Sequence, residues 1–386
     1  MQCRPRSRPG TQEVGPPARA MPDDTATLGL PEPPGPAPER YGVPVARCGG
    51  TGPAYAALDL GTNNCRLLVG APAGGGFRVV DSFSRIVRLG EGLAATGRLS
   101  DAAMDRAVAA LAACAEKLAR RPVRHFQAVA TEACRRAGNG PAFLARVEAE
   151  TGLRPRIISA REEAELAMES CSPLLEDQDR RALLFDIGGG STEIAWIRVP
   201  GAPRQGQVPA ELIGYVSMPL GVVTLAERVG ASCFTQEGFA AVVEEVAEHL
   251  RRFDRVHCIG QEIRAGGVRL IGTSGTVTTL AGVALALPRY RRPLVDGRVL
   301  DIEVADQALG DLFALGRAGL AAHPCVGPER VDFVLPGCAV YAAIRRVWPV
   351  PTLTVADRGL REGMLLRMIR ADRLQGRYGS SRRYGL

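Results

Sequence analysis

Lysine is almost missing from this chain of 386 residues: Lys117 is the only one, although Lys and Arg together number 48. A GxxxxGK[ST] phosphate grip is therefore excluded. A Schiff-base lysine would have to be Lys117, on the polar side of an amphipathic helix. Aromatics make up only 5% and are not interleaved with the basic residues. That argues against nucleic acid as the partner, although a net charge of +7 and a pI of about 9.0 suit some polyanion. The four histidines, His125, His249, His257 and His323, are dispersed in no HExxH or Ser/His/Asp arrangement, so histidine catalysis is not expected. The ten cysteines show neither CxxC nor zinc spacing and read as buried thiols of a reducing compartment. Cys65, beside a polar turn, is either a small filler or a reactive thiol. No run is apolar enough to span a bilayer, and the start lacks the basic-then-apolar layout of a secretory signal. A cytoplasmic protein without membrane contact is expected.

What the chain does have is an internal echo. Residues 55–69, YAALDLGTNNCRLLV, return reshaped as 183–197, LLFDIGGGSTEIAWI. Each is a hydrophobic strand ending in Asp, a glycine-containing polar turn and a second strand. Asp59 aligns with Asp186 and Gly61 with Gly188. Such a turn gathers backbone N–H groups, small hydroxyls and a carboxylate, which suits a phosphate chain and its divalent cation. Two copies suggest two similar lobes gripping one anionic ligand.

Length favours two domains. Residues 1–52 are rich in Pro, Gly, Ala and Arg and read as a disordered extension. The expected strands are 55–60, 66–71, 77–83, 125–130 and 154–159, then 182–187, 192–199, 211–217 and 268–271. Helices are expected at 100–121, 141–150, 160–171, 221–229 and 236–255, from 274, and near 303–316, 336–347 and 359–370. This alternation means α/β. The division is lobe I over 53–172, completed by the helix near 359–370, lobe II over 173–358, and a basic flexible tail over 372–386. Each lobe opens on a hairpin, unlike a Rossmann unit, where strand passes straight into helix.

In the second turn, Gly188, Gly189 and Gly190 let backbone approach a phosphate, with Ser191 and Thr192 beside them. Asp186 could hold Mg²⁺, and Glu193 could orient water or metal. In the first turn, Asp59, Gly61, Thr62, Asn63 and Asn64 offer the same chemistry, or simply form a hairpin turn. Gly272, Thr273, Ser274 and Gly275 lie between strand and helix, as a third anion site or as plain N-capping. Ser159 and Glu162 have capping-box spacing. Glu163, next in that first helical turn, is either a base in the cleft or an acid stabilising the helix dipole. Arg135 and Arg136 follow a buried strand, where they could neutralise phosphate or serve as surface charges.

Taken in order, ATEACRR (130–136), IISAREEA (157–164), FDIGGGSTE (185–193), GTSGT (272–276) and DRGLREG (357–363) resemble the Ppx/GppA phosphatase family of the actin-like superfamily. The resemblance implies two ribonuclease-H-like lobes with the active site between them. It places a catalytic base on Glu163, a strand-end arginine on Arg135 and a phosphate loop on Asp186, Gly188, Ser191 and Glu193. It further implies Mg²⁺ held by Asp186, Asp59 and Glu193, inorganic polyphosphate or guanosine pentaphosphate as substrate, and dimerisation. Asn64 stands where the family often has serine, which points to a difference in chain-length or substrate preference.

Overall fold

The computed structural model describes residues 53–199 and 210–381. The extension called disordered, 1–52, and the arginines at 382 and 383 lie outside them. The first sheet holds β1 (Ala54–Leu60), β2 (Asn64–Ala73), β3 (Gly76–Ile86), β4 (Val123–Ala130) and β5 (Arg156–Ile157) in the order β3-β2-β1-β4-β5. The second holds β6 (Arg181–Ile187), β7 (Thr192–Arg198), β8 (Glu211–Met218), β9 (Val268–Thr273), β10 (Val299–Asp301) and β11 (Thr352–Ala356) in the order β10-β11-β9-β6-β7-β8. Starting from its meander edge, β8-β7-β6-β9-β11 reproduces β3-β2-β1-β4-β5. In each sheet the opening strand is antiparallel to the next and parallel to the strand on its other side. The echo in sequence is thus an echo in topology, and the molecule is a mixed α/β protein of two actin-like lobes.

Hydrophobic pattern located most elements, and the departures have physical causes. β5 shrinks to two residues. β11 was not among the expected strands; its apolar run follows Pro349 and Pro351 and pairs in parallel with β9. Pro336 reads as a helix start, but the helix Val331–Val347 begins five residues earlier and contains it. The final helix, Leu360–Ser381, runs past the point near Asp372 where the chain was expected to loosen. Asp372 is gripped there: Tyr55 Oη donates to it at 2.6 Å, and Arg124 and His125 lie 2.7 and 3.0 Å away. Among the described residues no helix is long and apolar enough to cross a membrane.

Two helices are exchanged between the sheets. Ala160–Cys171 follows β5, yet Ala164, Ala167 and Cys171 pack on Ala182, Leu184, Ala195 and Ile197 of the second sheet. Leu360–Ser381 follows β11, yet Met364, Leu365, Met368 and Ile369 pack on Tyr55, Ala57 and Leu68 of the first. They cross at Gly363, where a Cβ would lie 2.2 Å from the Leu166 carbonyl oxygen. Only glycine permits that approach. Gly363→Ala should cost about 1–3 kcal/mol through overpacking. Gly310→Ala, on an exposed helical site with open space around it, should gain about 0.5–1 kcal/mol. Urea unfolding of the two variants checks the opposite signs.

Candidate active site in the inter-lobe cleft

Register explains how the acids arrive. Asp59 and Asp186 occupy equivalent positions near the ends of β1 and β6. Asp59 pairs across the hairpin with Arg66, and Asp186 pairs with Glu193. Glu193 in turn lies opposite Ser217 of β8. Its Oε1 accepts hydrogen bonds from Ser191 Oγ at 2.5 Å and Ser217 Oγ at 2.8 Å. This carboxylate, 9% exposed, is held in one orientation by two hydroxyls.

Glu163 enters from the N-terminus of Ala160–Cys171. Ser159 Oγ accepts from the Glu162 N–H at 3.2 Å, but Glu162 turns to Arg156 instead of completing the capping box. Glu163 itself points inward and is 6% exposed. Arg135 Nη1 lies 2.8 Å from its Oε2. Arg135 belongs to the short helix Glu132–Arg136 that follows β4. Its Nη1 also donates to the Ile158 carbonyl at 2.7 Å, and its Nε and Nη2 donate to Glu132 Oε2 at 3.1 and 2.6 Å. Arg136 is exposed, with its Nε 3.9 Å from Glu132.

The glycine-rich turn is oriented by its carbonyls. Val222 and Val223 N–H groups donate to the Gly188 and Gly189 oxygens at 2.9 and 2.8 Å. A peptide N–H points away from its C=O, so the Gly189 and Gly190 N–H groups face away from that helix. Gly221 makes the contact possible, since a Cβ there would meet the Gly189 carbonyl at 2.4 Å. Across the cleft the turn packs on the first loop. A Cβ on Gly189 would lie 3.2 Å from the Cβ atoms of both Thr62 and Asn63, and one on Gly190 would lie 2.5 Å from Thr62 Oγ1. Gly92 N–H donates to Glu227 at 2.9 Å, a further bond between lobes. The first loop is braced from behind, with the Thr62 and Asn63 carbonyls accepting from Gly90, Val87 and Arg88. Asn64 opens β2, and its carbonyl accepts from Gly61.

Several expected ligand contacts are used within the protein. Thr192 Oγ1 donates to the Leu220 carbonyl and Ser274 Oγ to the Ile187 carbonyl. Thr273 Oγ1 donates to the Arg358 carbonyl. The hydroxyls of the third site therefore face backbone, and Gly272 lies packed against Phe185. Ser274 keeps a left-handed φ of 75°, a strained backbone at the mouth of the helix Ser274–Ala284. Gly275 offers its carbonyl to Arg330. Cys65 is buried, and its contact with Cys114 and its desolvation push its thiol pKa upward, so it is the inert filler rather than a reactive thiol.

Burial is the first cause of every acid's shift. Glu163 is pushed up to about 9, by desolvation and then by Glu193, with Arg135 pulling it back. Glu193 rises to about 7 by desolvation and Asp186, against its serine bonds. Asp186 rises to about 6 by desolvation, opposed by Ser274. Asp59 rises by desolvation, opposed by Arg361 and Arg66. The arginines facing Asp59, together with Glu132 and Ser217, are the members that motif reading missed. Hairpin register could have found Arg66 and Ser217, because they sit directly opposite Asp59 and Glu193.

Asp59 Oδ1 and Asn63 Oδ1 are buried acceptors without a hydrogen-bond partner, which fits a cation close by. Among the described residues, however, no three Asp, Glu, His or Cys side chains converge as a metal-binding group. Asp59, Asp186 and Glu193 are therefore not a closed ligand set, and Glu193 is already engaged by serines. The residues fit a hard cation such as Mg²⁺ that takes one or two carboxylates and completes its shell with phosphate and water.

Paired lobes with acid-bearing hairpins facing one cleft define an actin-like protein. Residues 68–372 match the model of the Ppx/GppA phosphatase family, to which the chain belongs. The guanosine-5'-triphosphate,3'-diphosphate pyrophosphatase of Aeromonas salmonicida is 30% identical over 314 residues, 81% of this chain. The chain spans 59% of that relative's length. The crystal structure of the Aquifex aeolicus Ppx/GppA family member is similar at 25% identity and a TM-score of 0.67, covering 83% of this chain and 98% of that one. An exopolyphosphatase from Cytophaga hutchinsonii shares the fold at 23% identity and a TM-score of 0.72, covering 82% of this chain and 98% of that one.

The raised acids set a pH dependence. Between the ordinary carboxylate pKa and the raised values, the folded state binds more protons than the unfolded chain, so stability falls as pH rises. Without cation, the melting temperature should drop from about pH 4 to about pH 9, most steeply below about pH 6, where Asp186, Glu193 and Glu163 all still hold protons that the unfolded chain has lost. Glu163→Gln should flatten the upper part of that drop. Calorimetry across the range checks both.

Proposed function

We propose that this protein hydrolyses the terminal phosphoanhydride of inorganic polyphosphate, releasing orthophosphate, as an exopolyphosphatase. The observation that carries this reading is the buried Glu163, held 2.8 Å from Arg135 and electrostatically coupled to Glu193 and Asp59. Burial makes Glu163 hold its proton near neutral pH, and with a cation bound beside it Glu163 would lose that proton and stand as a strongly basic carboxylate to act on water. Glu163 takes the proton of a water that attacks the terminal phosphorus in line. The N–H groups of Gly189 and Gly190 hold phosphate oxygens, and the bridging oxygen leaves with the shortened chain. A divalent cation beside Asp186 and Asp59, when bound, supplies the positive charge that lets this acidic cleft accept a polyanion. Arg66 and Arg361 add charge of the same sign close to Asp59.

A second reading, removal of the 5'-terminal phosphate of guanosine pentaphosphate, is favoured by the name of the Aeromonas salmonicida relative. Both substrates end in the same bond, and none of the site residues described above reads a guanine base. The test is orthophosphate release with Mg²⁺ from long-chain polyphosphate and from guanosine pentaphosphate. Polyphosphate should be the faster substrate, and faster release from the nucleotide would favour the second reading. Glu163→Gln should lower kcat on either by about 10²–10⁴-fold while sparing substrate binding. Full activity in that variant would remove Glu163 from the mechanism.

A further inference from the structure

Arg135 is described above as the partner of Glu163, but most of its guanidinium is turned elsewhere. A guanidinium carries five N–H donors in one rigid plane. Nε and Nη2 both donate to a single oxygen, Glu132 Oε2, at 3.1 and 2.6 Å. Nη1 donates to the Ile158 carbonyl at 2.7 Å and sets its charge 2.8 Å from Glu163 Oε2. The edge of the plane held by Glu132 therefore dictates where the opposite corner falls. Without Glu132, the plane could pivot about the Ile158 contact, and Nη1 would no longer be fixed against Glu163.

Glu132 is itself well placed for this. It is the first residue of Glu132–Arg136, its side chain is largely buried, and Arg135 lies one turn on. Its Cγ lies against the opposite lobe, where a Cβ on Gly190 would be 3.2 Å away. It touches the glycine-rich turn and Arg135 at once. A carboxylate so close to a polyanion site repels substrate, so binding gives no reason for an acid there. Orienting Arg135 gives one.

From this geometry we infer that Glu132 is a positioning residue, which fixes the Arg135 guanidinium so that Nη1 holds Glu163 in line for its water. The inference rests on the proposed hydrolysis and adds a residue that neither motif nor spacing indicated. It also assigns Arg135 chiefly to the base rather than to phosphate.

The test compares Glu132→Ala and Glu132→Gln with wild type on long-chain polyphosphate. Glu132→Ala should lower kcat by about 10–100-fold, since misplacement of a catalytic group carries a penalty of that order, and leave KM no higher than in wild type. Glu132→Gln should recover much of the loss, because its amide oxygen can still accept from Nε and Nη2. An unchanged kcat in Glu132→Ala, or a loss confined to KM, would overturn the inference. If wild type releases no orthophosphate at all, the proposed function falls, and a thermal double-mutant cycle decides the inference. The change in melting temperature on Glu132→Ala should then differ between the wild-type and Glu163→Gln backgrounds, because the two acids share Arg135. Additive shifts would overturn it.

Discussion

Four carboxylates, from Asp59, Asp186, Glu193 and Glu163, are enclosed where two sheets meet, and the structure has to hold that repulsion in place. Their raised proton affinities trace first to that enclosure and only then to the charges they share. Isolated charges cannot be buried without partners. Three of these acids have such partners: arginines beside Asp59, serine hydroxyls on Glu193, and Arg135 beside Glu163. Arg66, Arg361 and Arg135 face these four acids, but Arg135 is shared with Glu132, so the cluster stays acidic and suits a ligand that brings cations with it.

The exchanged helices make this enclosure possible. Each belongs to one lobe by sequence and packs on the sheet of the other, and their backbones touch at Gly363 and Leu166. One of them carries Glu163 at its N-terminus, so the proposed base is delivered by the element that also joins the lobes. The glycine-rich turn is delivered differently. Its carbonyls are bound by the next helix, which turns the Gly189 and Gly190 N–H groups away from that helix. The proposed base and the proposed anion grip thus come from separate devices that meet only because the lobes pack together.

Much of this was legible in the chain. Alternation of strand and helix, the repeated hairpin and Ser caps at Ser100 and Ser159 located the elements that form the lobes. Asp59, Asp186 and the three glycines could be singled out because their local sequence is unusual for a plain turn. Glu163 could not be separated from an ordinary helix-dipole acid by spacing, since its inward direction depends on the Arg135 contact, 28 positions away in sequence. The hydroxyls of Thr192, Thr273 and Ser274 looked like ligand donors, yet long-range backbone carbonyls claim them. β11 was hidden by the prolines before it. Such contacts belong to tertiary structure, and no local pattern encodes them.

The central claim is that water, activated by Glu163, attacks the terminal phosphorus. Reaction with polyphosphate in ¹⁸O-labelled water tests it most directly, with mass analysis of the first orthophosphate released. The account predicts one ¹⁸O in each released orthophosphate and none in the shortened chain. Label in the shortened chain, with unlabelled orthophosphate, would place the attack on the penultimate phosphorus and contradict it.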